Sequence, residues 1–148
     1  MARIFDFSVW IKKWAQQYHV PPIPVYITDE LETGLDGYYD WERNRILVSQ
    51  FMVEHAKKSS DALRVVKNII AHEFGHYLLH RSIGVTPKDT EETRQAKLKA
   101  ANIDQVASEK HAAAIAKKLS GLTEFDCMNL MDRFLDIPAT IVLQSKCR

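Results

Sequence analysis

The spacing of hydrophobic residues predicts one long helix in the middle of the chain. Between residues 60 and about 81, apolar residues recur every three or four positions, and serine precedes the segment as a candidate cap. At about 100° per residue, His76 lies about 40° and Glu73 about 100° from His72 around the helix. Valine, isoleucine and tyrosine side chains share this sector. The three polar residues therefore lie on the face that the pattern predicts to be buried.

Upstream of this helix, the pattern predicts an N-terminal helix and a small sheet. Aromatic and apolar residues recur at helical spacing from Phe7 to Tyr18, and Pro21-Pro22 ends that segment. The segment 25–28 has the length and composition of a short strand, and segments 38–40 and 45–48 flank a four-residue turn typical of a hairpin. We expect these three strands to form one antiparallel sheet.

The rest of the chain is predicted to be helical, with one interruption. A short helix or turn is expected over residues 49–58, and the polar segment 85–95 is expected to be a mobile loop, either a lid over a site or a plain linker. A second long helix is predicted from about residue 100 to residue 119. An amphipathic helix over about 125–135, preceded by a capping-box variant at Thr123-Glu124-Phe125-Asp126, and a last helix beginning near Pro138 complete the pattern.

The chain is long enough to form one domain with a core of its own. Its 148 residues are 46% hydrophobic and 26% charged, as in ordinary globular proteins, so we expect a single domain over residues 1–148. Together with the predicted elements, this gives an α+β fold: an N-terminal helix, a small three-stranded antiparallel sheet, a central helix and a helical C-terminal half.

Charge and targeting signals narrow the function classes. The formal net charge of +1 offers no strong electrostatic basis for binding nucleic acid or a membrane surface. The two cysteines, Cys127 and Cys147, make neither a disulfide framework nor a zinc pattern. The N-terminus lacks the apolar segment of a signal peptide, and no apolar run reaches about 18 residues. We therefore expect a cytoplasmic protein with no membrane or direct nucleic-acid partner.

The segment His72-Glu73-Phe74-Gly75-His76 has the spacing H-E-x-x-H on the predicted central helix. Residues four apart lie on one face, so His72 and His76 can direct ring nitrogens at one zinc ion. Glu73 can then act as general base on a metal-activated water without being a ligand. The alternative is a helix edge with two solvated histidines. These residues lie on the face that is predicted to be buried, where unpaired polar groups cost about 1–3 kcal/mol each, so a metal partner is the better explanation. His80 continues the spacing but lies about 12 Å further along the helix, beyond the reach of the same ion.

A catalytic zinc site needs a third protein ligand, and helical phase selects His111 for this role. With Ile103 as the start of the apolar stripe on the second long helix, His111 falls about 80° around, in the middle of the stripe, whereas Glu109 falls near 240° and is expected to face water. Asp104 shares the stripe and is a candidate to orient a ligand or the water. A core histidine satisfied by other partners is the alternative for His111.

The chain resembles the ImmA/IrrE family of zinc-dependent metallopeptidases in three segments: residues 37–40, residues 70–79, which contain the H-E-x-x-H motif, and His111-Ala112-Ala113-Ala114-Ile115-Ala116. The last segment places a histidine where the family has a glutamate, and three neutral ligands would leave the ion more charged. The resemblance implies a zincin-like fold, with the two histidines and the glutamate of the motif as metal ligands and base. It also implies cleavage of a transcriptional repressor or another regulatory protein.

The predicted function is that of a zinc-dependent endopeptidase acting on a regulatory protein. Zn²⁺ is the expected cofactor, held by the two motif histidines and His111, and a protein or peptide is the expected partner. Tyr77 or Tyr39 is a candidate donor to the oxyanion, because such a donor is needed in peptide hydrolysis. Two alternatives stay open at this point: a binding module with a zincin fold that sequesters a regulator without cutting it, and the toxin of a toxin–antitoxin pair.

Overall fold

The computed structural model describes residues 6–32 and 34–135, which form an α+β arrangement of six helices and a three-stranded sheet. The elements, in chain order, are α1 (Ser8–Tyr18), β1 (Val25–Thr28), β2 (Gly37–Asp40), β3 (Arg45–Ser49), α2 (Gln50–Ala56), α3 (Ser60–Ser82), α4 (Glu91–Ala100), α5 (Gln105–Ser120) and α6 (Glu124–Phe134). The predicted order of an N-terminal helix, a sheet and a helical remainder is confirmed.

The sheet is mixed, so the prediction of an all-antiparallel sheet is wrong. The strand order is β1-β3-β2, with β3 in the centre. The predicted hairpin is present, because β2 pairs with β3 antiparallel, with Gly37 opposite Val48. β1 instead pairs with β3 in parallel, with Val25 opposite Ile46. A four-residue turn fixes the pairing of the strands it joins, but the apolar pattern of β1 carries no information about its direction relative to a strand further along the chain.

Helix α3 lies at the centre of the described structure. The side chain of Ser59 accepts a hydrogen bond from the backbone N–H of Ala62 and caps the helix, as predicted from the serine at its start. From Asn68 to Gly75 every residue is buried, because the sheet, α2, α5 and α6 all pack around this part of the helix. Polar groups placed here are held on a rigid, mostly apolar support.

The segment between α3 and α5 differs from the prediction. Helix α4 occupies residues 91–100, part of which was predicted as a mobile loop, and begins with a capping box between Thr90 and Thr93. The predicted single helix over 100–119 is interrupted: Asn102 has a φ of 59°, and α5 begins at Gln105 with Asp104 as its cap. Asparagine tolerates this left-handed conformation better than most residues. The segment 101–104 therefore turns the chain between two helices.

Helix α6 is the last element of the described residues. Its capping box joins Thr123 and Asp126, as predicted, and Cys127 is buried. The helix predicted near Pro138 and the second cysteine, Cys147, lie outside the described residues. Within residues 6–32 and 34–135, every helix is too short or too polar to cross a membrane.

Candidate metal centre

Two histidines of α3 point to the same space. His72 is 5% exposed, and its ring centroid lies 5.1 Å from that of His76. They are one helical turn apart, so the helix itself sets this separation. The buried side chains around α3 restrict both rings to one side, where they meet α5.

The residue that α5 brings to these histidines is Glu109. Its Oε2 accepts a hydrogen bond from His72 Nε2 at 2.9 Å, and its Oε1 lies 3.2 Å from His76 Nε2. One ligand atom from each of the three residues lies within 4.8 Å of the other two. The expectation that Glu109 faces water is wrong, and the structure places Glu109, instead of the predicted His111, beside the two histidines.

The phase of α5 explains the difference. Helix α5 begins at Gln105, after the turn at residues 101–104, so Ile103 does not share its helical register and cannot define its buried face. The buried residues of α5 are Ala112 and Ala116, which pack against α3. Glu109 lies three residues before Ala112, on nearly the same face. Small side chains, which add little to an apolar pattern, therefore define the face that carries the carboxylate.

His111 lies on the flank of this helix contact. Its Nε2 is buried without a hydrogen-bond partner among the described residues, and its ring interacts with the backbone of Gly75. Burial lowers its pKa, the positive charge that His76 can carry lowers it further, and the Gly75 contact opposes both. His111 therefore sits as a neutral residue within the α3–α5 contact.

The close approach of α5 depends on Gly75, inside the H-E-x-x-H motif. A Cβ atom at this position would lie 2.8 Å from the Cα of Ala112 and 3.2 Å from the Cβ of Ile115. Real Cβ atoms do not approach backbone this closely, so only glycine permits this helix separation. The separation in turn lets the short Glu109 side chain reach both imidazoles.

The electrostatics of the cluster favour an ionised carboxylate. Burial raises the pKa of Glu109, but hydrogen bonds with His72 and His76 outweigh it and lower the pKa to about 2. For His76, burial lowers the pKa, and the hydrogen bond with Glu109 and the charge of Glu73 more than compensate, so its pKa is raised. Glu109 thus attracts positive charge to this point, whether from a proton or from a metal ion.

A serine of α5 orients one of the histidines. Ser108 Oγ lies 3.2 Å from His76 Nδ1, on the side of the ring away from Glu109. When Nε2 is used for coordination, Nδ1 carries the proton and donates it to this oxygen. No sequence motif marks this residue. It precedes Glu109 in α5, and the geometry of that helix brings it to His76.

Glu73, which the sequence predicts as a general base, lines the same cleft as the cluster. Its side chain is 8% exposed, and its Oε2 is buried without a hydrogen-bond partner among the described residues. A buried carboxylate oxygen without a donor is costly, which points to a donor that the chain itself does not supply. A water or substrate N–H in the neighbouring space would fill this role.

A cleft of about 570 Å³ opens over the cluster. The two histidines and Glu73 form its base, β2 and the hairpin turn border it, and residues of α4 and α5 complete the lining. The cleft is large enough for several residues of an extended peptide. It gives external molecules access to the carboxylate and imidazole groups.

The remaining predicted site residues divide into those inside and those outside the cleft. Tyr39 lines it, with its ring 5.1 Å from that of His80, and burial raises the pKa of its phenol strongly. Tyr77 does not line it, because its hydroxyl donates to the carbonyl of Pro21 at 2.6 Å. Asp104 lines the cleft, but its carboxylate caps α5 through the N–H of Ala107.

The donor set is suited to a divalent metal ion. Two imidazole nitrogens and one carboxylate form one of the three-ligand sets that zinc uses when it leaves a position for water or substrate. Glu73 lines the same cleft as these three residues, and its Oε2 has no hydrogen-bond partner among the described residues. His72, His76 and Glu109 therefore could hold a metal ion.

Comparisons of the chain with protein-family models, curated proteins and solved structures find no match.

Proposed function

We propose that this protein is a zinc-dependent peptidase in which His72, His76 and Glu109 hold the metal and Glu73 is the general base. The observation that carries this proposal is the convergence of the three ligand atoms within 4.8 Å at the base of an open cleft. The negative charge of Glu109 distinguishes this set from the three neutral histidines expected from sequence. It neutralises part of the charge of a divalent ion and favours its retention.

Zinc bound at such a site supplies a Lewis acid that acidifies water and polarises a peptide carbonyl. The residues of the chain supply the proton transfers. The carboxylate of Glu73, which lines the cleft, accepts a proton from the water that attacks the carbonyl carbon. The same carboxylate returns the proton to the nitrogen as the carbon–nitrogen bond breaks, so Glu73 ends the cycle ionised.

The border of the cleft favours an extended peptide as the substrate. β2 lies at one edge of the sheet, and Gly37, Tyr38 and Tyr39 line the cleft. An edge strand has free backbone donors and acceptors, to which a peptide can pair by adding a strand. A helix with metal ligands below such an edge is a zincin-like arrangement, which we include in the proposal.

Tyr39 is the better candidate for the oxyanion donor. The Tyr77 hydroxyl already donates to Pro21, whereas the Tyr39 ring lines the cleft. Burial, and next the neighbouring Tyr77, raise the pKa of Tyr39, so its phenol stays protonated and able to donate over the pH range in which proteins work. Tyr39→Phe should lower kcat with little change in KM, while Tyr77→Phe should mainly lower the free energy of unfolding. Equal turnover of Tyr39→Phe and the native protein would remove this role.

The resemblance to the ImmA/IrrE family extends the proposal to the substrate and the setting. It supports a regulatory protein, such as a transcriptional repressor, as the protein that is cut in the cytoplasm. Glu109 lies two residues before His111, the position that the resemblance aligns with the glutamate of that family. The chain thus has the expected ligand type on the expected helix, at a shifted position.

Glu73→Gln tests the proposed reaction. The variant keeps the metal ligands and the shape of the side chain but cannot accept a proton, so zinc content is retained and peptide cleavage falls by at least about 100-fold. Zinc content by elemental analysis and cleavage by mass spectrometry of a mixed peptide digest provide the two readouts. Unchanged cleavage in Glu73→Gln would exclude the mechanism, and regulator binding without cleavage by the native protein would support the binding module instead.

A further inference from the structure

The cleft has a charge that differs from that of the chain. Among the described residues, six carboxylates and one guanidinium line it, although the whole chain has 19 acidic and 20 basic residues. Their balance is −5 with neutral histidines, and a divalent cation at the proposed site would leave −3. The six acidic residues are Glu32, Glu42, Glu73, Glu91, Asp104 and Glu109.

Arg94, the one cation that the described part of the chain contributes to the lining, is already engaged. Nε of Arg94 donates to His80 Nε2 at 2.9 Å, and its Nη1 donates to Glu91 at 3.0 Å. The guanidinium also lies 5.3 Å from the centroid of the Trp41 ring. These contacts hold Arg94 against the wall of the cleft, so it is poorly available to a substrate carboxylate.

Two of the carboxylates are available to a ligand. Glu32 and Glu42 are exposed at the rim, and neither makes a side-chain hydrogen bond or ion pair with the described residues. Burial raises the pKa of the Tyr38 phenol, and the charges of Asp40, Glu42 and Glu91 add to this effect while Arg94 opposes it. Carboxylates from the hairpin and from α4 therefore act on the same space within the cleft.

A second observation points to a ligand that brings donors. Glu73 lines the same cleft and is only 8% exposed. Its Oε2 is buried and has no hydrogen-bond partner among the described residues. Carboxylates at the base and at the rim thus line a volume in which Arg94, the one cation that the described residues contribute, is already engaged. A molecule rich in N–H groups complements both.

We propose that the peptide segment bound in this cleft carries lysine or arginine beside the bond that is cut. This inference rests on the proposed peptidase function and specifies its substrate class. The long, cationic side chains reach the exposed carboxylates of Glu32 and Glu42 while the peptide backbone lies along β2. Acidic residues at the same positions are repelled by the cleft, which gives discrimination in both directions.

Binding to the zinc-loaded Glu73→Gln protein tests this inference without requiring cleavage. The probes are three short fluorescent peptides that are identical except for two central residues, which are both Lys, both Gln or both Glu. Each exposed charge pair contributes about two- to fivefold, so the Lys peptide binds about five- to twentyfold more tightly than the Gln peptide, and the Glu peptide binds most weakly. The ratio falls between 0.1 M and 1 M salt, as the screening length decreases from about 10 Å to about 3 Å.

Glu42→Lys in the same background supplies the positional test, and Glu92→Lys is its matched control. Both substitutions change the net charge by +2, but Glu92 is exposed on α4 without lining the cleft. We expect Glu42→Lys to weaken the Lys peptide at least about fivefold and Glu92→Lys to weaken it less than twofold. Equal affinities for the three peptides, no measurable binding of any of them, or equal effects of the two substitutions would overturn the inference.

Cleavage separates this inference from the function on which it rests. In a digest of a mixed peptide library by the native protein, Lys and Arg should be enriched next to the cut bonds. Cleavage without that enrichment contradicts the charge preference and leaves the peptidase intact. Absence of any cleavage contradicts the peptidase, while the affinity ratios still decide whether the cleft selects cations.

Discussion

Glu109 is the residue on which the proposed metal site depends most. It supplies the negative ligand and contacts both imidazoles, at 2.9 Å from His72 and 3.2 Å from His76. We expect Glu109→Ala to lose stoichiometric zinc, because two neutral nitrogens alone form an incomplete site. His111→Ala should keep its zinc, since that ring lies in the α3–α5 contact. Elemental analysis after gel filtration measures both, and circular dichroism checks that each variant is folded.

The amide variant separates charge from shape at this position. Glu109→Gln keeps the size of the side chain but loses its charge, so zinc affinity should fall by more than about 10-fold with little change in stability. Loss of zinc in His111→Ala together with retention in Glu109→Ala would reverse the assignment and restore the ligand predicted from sequence.

Ser108 is expected to tune the site without binding the metal. Its Oγ lies 3.2 Å from His76 Nδ1, and groups in this position orient a ligating imidazole. Ser108→Ala should weaken zinc by about 10-fold or more, whereas Ser108→Thr keeps a hydroxyl and should restore much of the affinity. Competition with a chelator of known affinity measures the difference. Equal affinities of the alanine and threonine variants would show that the hydroxyl plays no part.

At the residue scale, part of the site was predictable from sequence. The two histidines and Glu73 follow from one local motif, since spacing along a helix determines which side chains share a face. The third residue comes from a helix whose register depends on the turn at Asn102. A turn stabilised by a single residue in the left-handed region leaves almost no hydrophobic signal. The sequence pattern therefore places Ile103 in the same helix as Glu109 and predicts the wrong buried face for α5.

The contact between α3 and α5 is the structural element that assembles the cluster. Alanine in place of glycine within a helix usually stabilises by about 0.5–1 kcal/mol. At Gly75 the expected sign is the opposite, because a Cβ atom would meet the Cα of Ala112 at 2.8 Å. We predict that Gly75→Ala destabilises by about 1–3 kcal/mol and weakens zinc as α5 moves away. Urea unfolding and chelator competition test the two effects, and a gain in stability would contradict this packing.

Elements with a local cause were predicted more accurately than their arrangement. Caps at Ser59 and Thr123 and the β2–β3 hairpin depend on residues close in sequence, and each is present. The parallel pairing of β1 with β3 and the position of α4 depend on contacts across the fold. For α4, these include the hydrogen bonds from Lys97 to Asp89 and to the carbonyl of Gly84. Such contacts have no periodic signature.

For the molecule as a whole, the distribution of charge is more informative than its sum. A net charge of +1 argues against strong electrostatic attraction to any large partner, yet the cleft concentrates acidic groups above the proposed metal site. A cation in the cleft and a cationic peptide above it would both relieve this local repulsion. Because of this concentration of charge, the free energy of unfolding of the metal-free protein should change when a titratable group within the cleft gains a proton.

His80 should make the metal-free protein sensitive to acid. Burial lowers its pKa to about 4; in addition, the contact with His76 O opposes the shift and the charge of Arg94 adds to it. In the folded state Nδ1 donates to the His76 carbonyl and Nε2 accepts from Arg94, an arrangement that requires the neutral ring. The unfolded chain, with a pKa near 6.5, binds the proton first, so stability falls as pH decreases from about 6.5 to about 4.

The expected size of this effect is about 2 kcal/mol between pH 7 and pH 5. His80→Gln cannot titrate, so its stability should fall about 2 kcal/mol less than that of the native chain over this range. The raised pKa of His76 has the opposite sign, but it contributes to both proteins and largely cancels in the comparison. Urea unfolding in the presence of a chelator, followed by tryptophan fluorescence, measures both curves. Parallel curves would mean that the pKa of His80 is the same in the folded and unfolded states, and that Arg94 is held against the cleft wall by other contacts.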